Sequence, residues 1–143
     1  MSEMKIRNAI VNTAKQHMKT KANLKYKMGG CESNGVLDCS GFVRGVLREA
    51  IGMNGLGNSR FLLYSSLFVT KQFDERKPGD ILVKEDNPKT KKYEGHVMIC
   101  MGNNEVIDMS SSRNGIAIHT YDEDDLRKYT VRRVSAKNGL SDR

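Results

Sequence analysis

Val36-Leu37-Asp38-Cys39-Ser40-Gly41-Phe42-Val43 marks a switch from a turn-rich stretch to an apolar helical one. Before it come Lys27-Met28-Gly29-Gly30 and Asn34-Gly35, all loop formers. After it, Phe42, Val43, Val46, Leu47 and Ala50 recur at helical spacing, which predicts a helix from Cys39 to about Gly52. A cysteine at a helix start faces unpaired N–H groups and the positive end of the helix dipole, and both favour thiolate over thiol. The thiolate is the nucleophilic form, so Cys39 is a candidate nucleophile. The alternative is a small buried hydrophobe.

A thiolate nucleophile needs a histidine, and the histidine an orienting group. The chain has three histidines. His17 lies among Lys15, Lys19 and Lys21 and reads as solvent-facing. In Ile116-Ala117-Ile118-His119, alternation turns the isoleucines inward and His119 outward. His96 instead opens Val97-Met98-Ile99-Cys100-Met101, the most apolar strand of the chain, and is the candidate base. The turn Gly102-Asn103-Asn104 folds this strand onto Glu105–Ser110, which returns Asp108 beside His96 as the candidate orienting carboxylate.

Helices followed by strands predict an α+β fold, with helices packed on one face of a mostly antiparallel sheet. Helix one is expected over Glu3–Thr20, with Met4, Ala9, Ile10, Thr13, Ala14 and Met18 as its amphipathic pattern. A third helix is expected over Asn58–Thr70. Strands are expected at Asp80–Val83, His96–Met101, Glu105–Met109, Gly115–Thr120 and Tyr129–Val134. The loop Lys84–Glu94, with its four lysines, is expected to border the cleft before His96.

Tyr26-Lys27-Met28-Gly29-Gly30, Leu37-Asp38-Cys39-Ser40-Gly41-Phe42-Val43, Lys77-Pro78-Gly79-Asp80 and Gly95-His96-Val97 together resemble the NlpC-type family of cell-wall peptidases, papain-like cysteine hydrolases. The resemblance runs from about Lys5 to Ile118. It implies a papain-like core, Cys39 as nucleophile, His96 as base, and Asp108 at the third catalytic position, which in the family is more often histidine, asparagine or glutamine. It further implies that Tyr26, Asp38 and Ser40 line the substrate cleft, and that the substrate is a peptidoglycan stem peptide, commonly cut between D-glutamate and diaminopimelate. A thiol hydrolase of the CHAP type on another amide, and a non-catalytic basic binding module, are the alternatives.

With 143 residues, residues 1–134 are expected to form one catalytic domain and 135–143 a polar tail. Three cysteines make no disulfide framework. A Cys31–Cys100 bridge remains open beside the reading of both as free thiols. No spacing suggests zinc, and no cofactor is called for. Residues 1–21 contain no apolar core of a secretory signal, and no stretch is long enough to span a membrane. A monomer made in the cytoplasm is expected. It would reach the wall as a secretion-system effector, with an immunity protein as partner, or as a phage lysis protein, or else act on soluble wall peptides. The net charge of +7 suits anionic polymers, but no nucleic-acid motif accompanies it.

Overall fold

The computed structural model describes residues 2–30, 32–85, 89 and 95–136. The first helix, α1 (Glu3–Thr20), starts where the Ser2 side chain accepts from the Lys5 N–H, and it buries Ile6, Ile10, Ala14 and His17. That stripe is rotated from the expected one. Ile6 belongs to it, whereas Met4 is 60% exposed. A short parallel pair follows, β1 (Lys25–Tyr26) with β2 (Val36–Leu37). Next comes α2 (Cys39–Ile51), which buries Phe42, Val43, Val46 and Leu47 and ends at left-handed Gly52, as anticipated.

The expected third helix covers only α3 (Ser59–Tyr64). Ser65 turns to an extended backbone, the Leu67 N–H bonds the Ser65 hydroxyl, and β3 (Phe68–Lys71) pairs antiparallel with β8 (Thr130–Val134). Phe68 is buried and Val69 exposed, the alternation of a strand. Arg132 of β8 holds this turn by donating to the Leu62 and Ser65 carbonyls and the Thr70 hydroxyl.

The remaining strands are β4 (Ile81–Lys84), β5 (His96–Gly102), β6 (Glu105–Ser110) and β7 (Gly115–Thr120), each within about a residue of expectation. A short helix, α4 (Glu123–Leu126), precedes β8. The six strands form one antiparallel sheet in the order β3-β8-β4-β5-β6-β7. Ile81, Val83, Val97, Ile99, Ile107 and Met109 pack against α1 and α2. The opposite face is also covered. Leu82, Met98, Cys100, Val106 and Val131 meet Leu126 of α4, with Phe73, Tyr121 and Tyr129 at the edge. Cys100 is a buried free thiol, while Cys31 and most of the Lys84–Glu94 loop lie outside the described residues. Among the described residues no helix is long and apolar enough to cross a membrane.

The Pro78-Gly79-Asp80 turn joins α1 to the sheet. Gly79 has φ +92°, and a Cβ there would lie 2.5 Å from the Arg7 carbonyl oxygen, so only glycine fits. Asp80 is fully buried and takes two bonds from Arg133, Nε to Oδ1 at 2.7 Å and Nη2 to Oδ2 at 2.8 Å. Removing one member of such a pair strands the other charge in the interior. Asp80→Ala is therefore expected to cost about 3–5 kcal/mol in equilibrium urea unfolding; a loss below about 1 kcal/mol would be the scale of a surface pair and would contradict this role.

Candidate active site

Asp38 builds the start of α2. Its carboxylate accepts from the Gly41 N–H at 2.7 Å, the Gly29 N–H at 3.0 Å and the Ser40 hydroxyl at 3.1 Å. The first bond is an ordinary N-cap. The second ties the glycine-rich loop to the helix, and with the β1–β2 pairing it brings Tyr26 beside Cys39. Burial raises the Tyr26 phenol above its usual range, and the negative charges of Cys39 and Asp38 push the same way.

Cys39 is the first residue of α2, and His96 the first of β5. The two side chains are close enough to interact electrostatically, and Cys39 is one of the groups that raise the His96 pKa. His96 Nε2 lies 2.6 Å from Asp108 Oδ2, which leaves Nδ1 for the thiol. Asp108 is fully buried, so the imidazole is its access to the cleft. Burial opposes a charge on His96. The bonds to Asp108 and Cys39 and their negative charges outweigh it, and the imidazolium is held with a pKa of about 9. Tyr129 meets the His96 ring edge-on at 6.4 Å, and burial drives its phenol far above the usual range.

Two cavities flank this pair. One, of about 170 Å³, is lined by Tyr26, Asp38, Cys39, Ser40, Asn58 and Ser59. The other, of about 270 Å³, is lined by Tyr26, His96, Ser110, Ser111, Ser112, Tyr121 and Tyr129. Met28 and Gly95 border both. All six sequence-predicted site residues are thus assembled in one place: Cys39 against His96, His96 on Asp108, and Tyr26, Asp38 and Ser40 in the cleft wall. Ser40 is tied internally, because its hydroxyl donates to Asp38 and accepts from Arg44 Nη1 at 3.2 Å. A separate cavity of about 260 Å³ lies along α2, lined by His17, Lys21, Arg44 and Arg48, and includes neither Cys39 nor His96.

Two histidines differ from expectation. His17 is buried, not solvent-facing: it lies on the Ile6–Ile10–Ala14 stripe, contacts Phe42 edge-on and pairs with Glu49 of α2. His119 does turn away from the helices, but into the covered second face. Its Nε2 lies 2.7 Å from Asp108 Oδ1, and its side chain is 9% exposed. Among the described residues, no group of three or more His, Cys, Asp or Glu side chains is arranged to hold a metal ion.

Comparison with known proteins agrees with this architecture. The profile of the NlpC/P60 family matches residues 23–135. No curated protein gives a significant match. Among solved structures, the chain superposes on the NlpC/p60 domain of the peptidoglycan hydrolase SagA with TM-score 0.60 at 23% identity, covering 90% of this chain and 97% of that one. NlpC1 from Trichomonas vaginalis gives TM-score 0.58 at 24% identity over 87% of this chain and 42% of that one, so this chain spans under half its length. The peptidoglycan hydrolase RipB from Mycobacterium tuberculosis gives TM-score 0.64 at 17% identity, covering 94% and 69%. At these identities the likeness is one of fold.

The His96 pKa makes a prediction. A folded value raised to about 9 from 6.5 means that the site's contribution to stability is complete below about 6.5 and is lost as pH rises through about 9. The ring protons of His96 should titrate near pH 9 by NMR. In Asp108→Asn they should titrate lower, since one of the two groups that raise the value is lost. Titration of the wild-type ring at or below 6.5 would place a neutral imidazole in the resting site and contradict the arrangement.

Proposed function

The chain belongs to the NlpC/P60 family, and on that premise we propose that it is a cysteine amidase or endopeptidase acting on peptidoglycan stem peptides. The observation that carries this reading is Cys39 at the start of α2 beside a His96 imidazole that is itself held by a buried carboxylate. Three groups in this order are what nucleophilic acyl transfer requires.

The Cys39 thiolate attacks the amide carbonyl, and the oxygen takes up negative charge. The Cys39 N–H, at the positive end of α2, supplies a donor for that oxyanion. The imidazolium of His96 then donates its proton to the departing amine, and the C–N bond breaks to leave a thioester on Cys39. Neutral His96 next takes a proton from water. The hydroxide attacks the thioester, and the thiolate leaves as the acid product is released. Asp108 keeps the imidazole oriented and its cation stabilised through both steps.

The substrate class draws on three supports. Two of the solved neighbours are named as peptidoglycan hydrolases. The net charge of +7 complements the carboxylates of wall peptides. The cleft around Cys39 and His96 is lined by hydroxyls, with Ser59 on one side and Ser110–Ser112 on the other, which suits a peptide rich in amide and carboxylate oxygens. The bond we favour is the γ-amide between D-glutamate and diaminopimelate, which fits Tyr26, Asp38 and Ser40 in the cleft wall.

Digestion of purified peptidoglycan and soluble muropeptides, with products weighed by mass spectrometry, tests the reading. Wild type should release defined peptides whose masses name the bond. Cys39→Ala should lower the rate by roughly 10³-fold or more, as loss of a nucleophile does elsewhere. Absence of cleavage by wild type on walls of both diaminopimelate and lysine type would reject the wall substrate.

A further inference from the structure

The Asp108 carboxylate has two oxygens, and the proposed chemistry uses only Oδ2. The other is occupied by a residue that lines neither cavity: His119 Nε2 sits 2.7 Å from Oδ1. We propose that His119 is a positioning residue, whose imidazole holds Asp108 so that the second carboxylate oxygen meets His96.

The sheet register makes this arrangement geometric rather than incidental. In the β6–β7 pair, Val106 faces His119 and Asp108 faces Ala117, so His119 is the diagonal neighbour of Asp108 on the same face. In the β5–β6 pair, Ile99 faces Ile107, which puts Met98 opposite Asp108 and His96 on the other diagonal. The two rings therefore approach the carboxylate from opposite ends along the strand. A lone Asp carboxylate rotates broadly about its last torsion. One donor on each oxygen, from opposite directions, holds that rotation still.

The donor is itself held. The His119 ring lies against Tyr121 with centroids 4.8 Å apart, and its side chain is 9% exposed. To donate to a carboxylate, Nε2 must carry the proton in both histidines. That tautomer leaves Nδ1 of neutral His96 as the lone pair that accepts the thiol proton. His119 thus acts on Cys39 through two intermediaries, without touching it.

What this does to turnover rests on the proposed cysteine mechanism, but two readouts need no substrate. These are the rate of Cys39 alkylation by iodoacetamide as a function of pH, localised by peptide mapping, and the NMR titration of His96. The variants are His119→Phe, which keeps ring volume without a donor, and His119→Gln, whose amide nitrogen reaches about as far as Nε2. His119→Phe should slow alkylation at pH 7 by roughly 10- to 100-fold, the cost of a small misplacement of reacting groups, and lower kcat on a cleavable muropeptide with KM little changed. His119→Gln should stay within about threefold of wild type, and His119→Phe should add nothing to Asp108→Asn, because residues of one network are non-additive.

Identical alkylation profiles and His96 titrations for wild type and His119→Phe would overturn the proposal, as would full additivity with Asp108→Asn. If His119→Phe fails to fold by thermal unfolding, His119→Asn replaces it. Its amide is too short to reach Oδ1, and equal behaviour of the Asn and Gln variants would overturn the proposal as well. A wild type that cuts no wall peptide but still shows the alkylation and titration differences would reject the substrate and leave the positioning role standing.

Discussion

The carboxylate of Asp38 is the constraint on which the site depends. A helix start leaves backbone donors unpaired, and something must satisfy them. Asp38 does so at Gly41 and also accepts from Gly29 and Ser40. One side chain therefore sets where α2 begins, where the glycine-rich loop docks and where Ser40 points. Cys39 follows it directly in the chain, so its thiol inherits its position from the cap. Gly41 completes the device, since a Cβ there would sit 3.0 Å from the capping oxygen and 2.7 Å from Leu37. Helix geometry and cleft geometry are here one problem with one solution.

The second element of the site depends on a sheet covered on both faces. One face packs on α1 and α2, and strands with a single buried face normally turn their polar residues to water. Here β5, β6 and β7 place His96, Asp108 and His119 on the other face, under Tyr121, Tyr129 and the Leu126 helix. Shielding makes a buried carboxylate expensive unless its oxygens are bonded. It also makes each bond that is formed electrostatically stronger than it would be in water. Enclosure is what turns three polar side chains on a strand face into a coupled unit.

This division explains what could be read from the residues. Cys39 was legible because the composition changes abruptly at Asp38, and a helix start has a local signature. His96 and Asp108 were legible because a hairpin with a short turn has few registers. His119 was not. Alternation correctly placed it away from Ile116 and Ile118, but alternation names a face and not what covers that face. The cover comes from Tyr121, Leu126 and Tyr129, whose packing on β5 and β6 is set by the path of the chain into β8. His17 was hidden by the lysines around it, although its spacing from Ala14 continues the buried stripe of α1. The Leu67–Thr70 run was ambiguous for a different reason: short apolar runs fit helix and strand alike, and pairing with β8 decided between them.

An aspartate at the third position carries a further consequence. A full charge beside His96 raises its pKa more than a neutral partner would, and the resting value is about 9. At pH 7 only ~1% of such a group is neutral, which suits an acid and handicaps a base. The proposed cycle needs both. The same interactions supply the remedy, because Cys39 contributes to the raised value through its hydrogen bond and its negative charge. Once Cys39 is acylated, that charge is gone and the imidazole has given its proton to the leaving amine. Burial, which opposes the cation, then weighs against Asp108 alone, so the His96 pKa moves down from its resting value. In the proposed cycle this makes the histidine a better base at the stage where a base is required. On this reasoning the aspartate is tolerable as an orienting group because the nucleophile, and not the carboxylate alone, sets the protonation of the histidine between them.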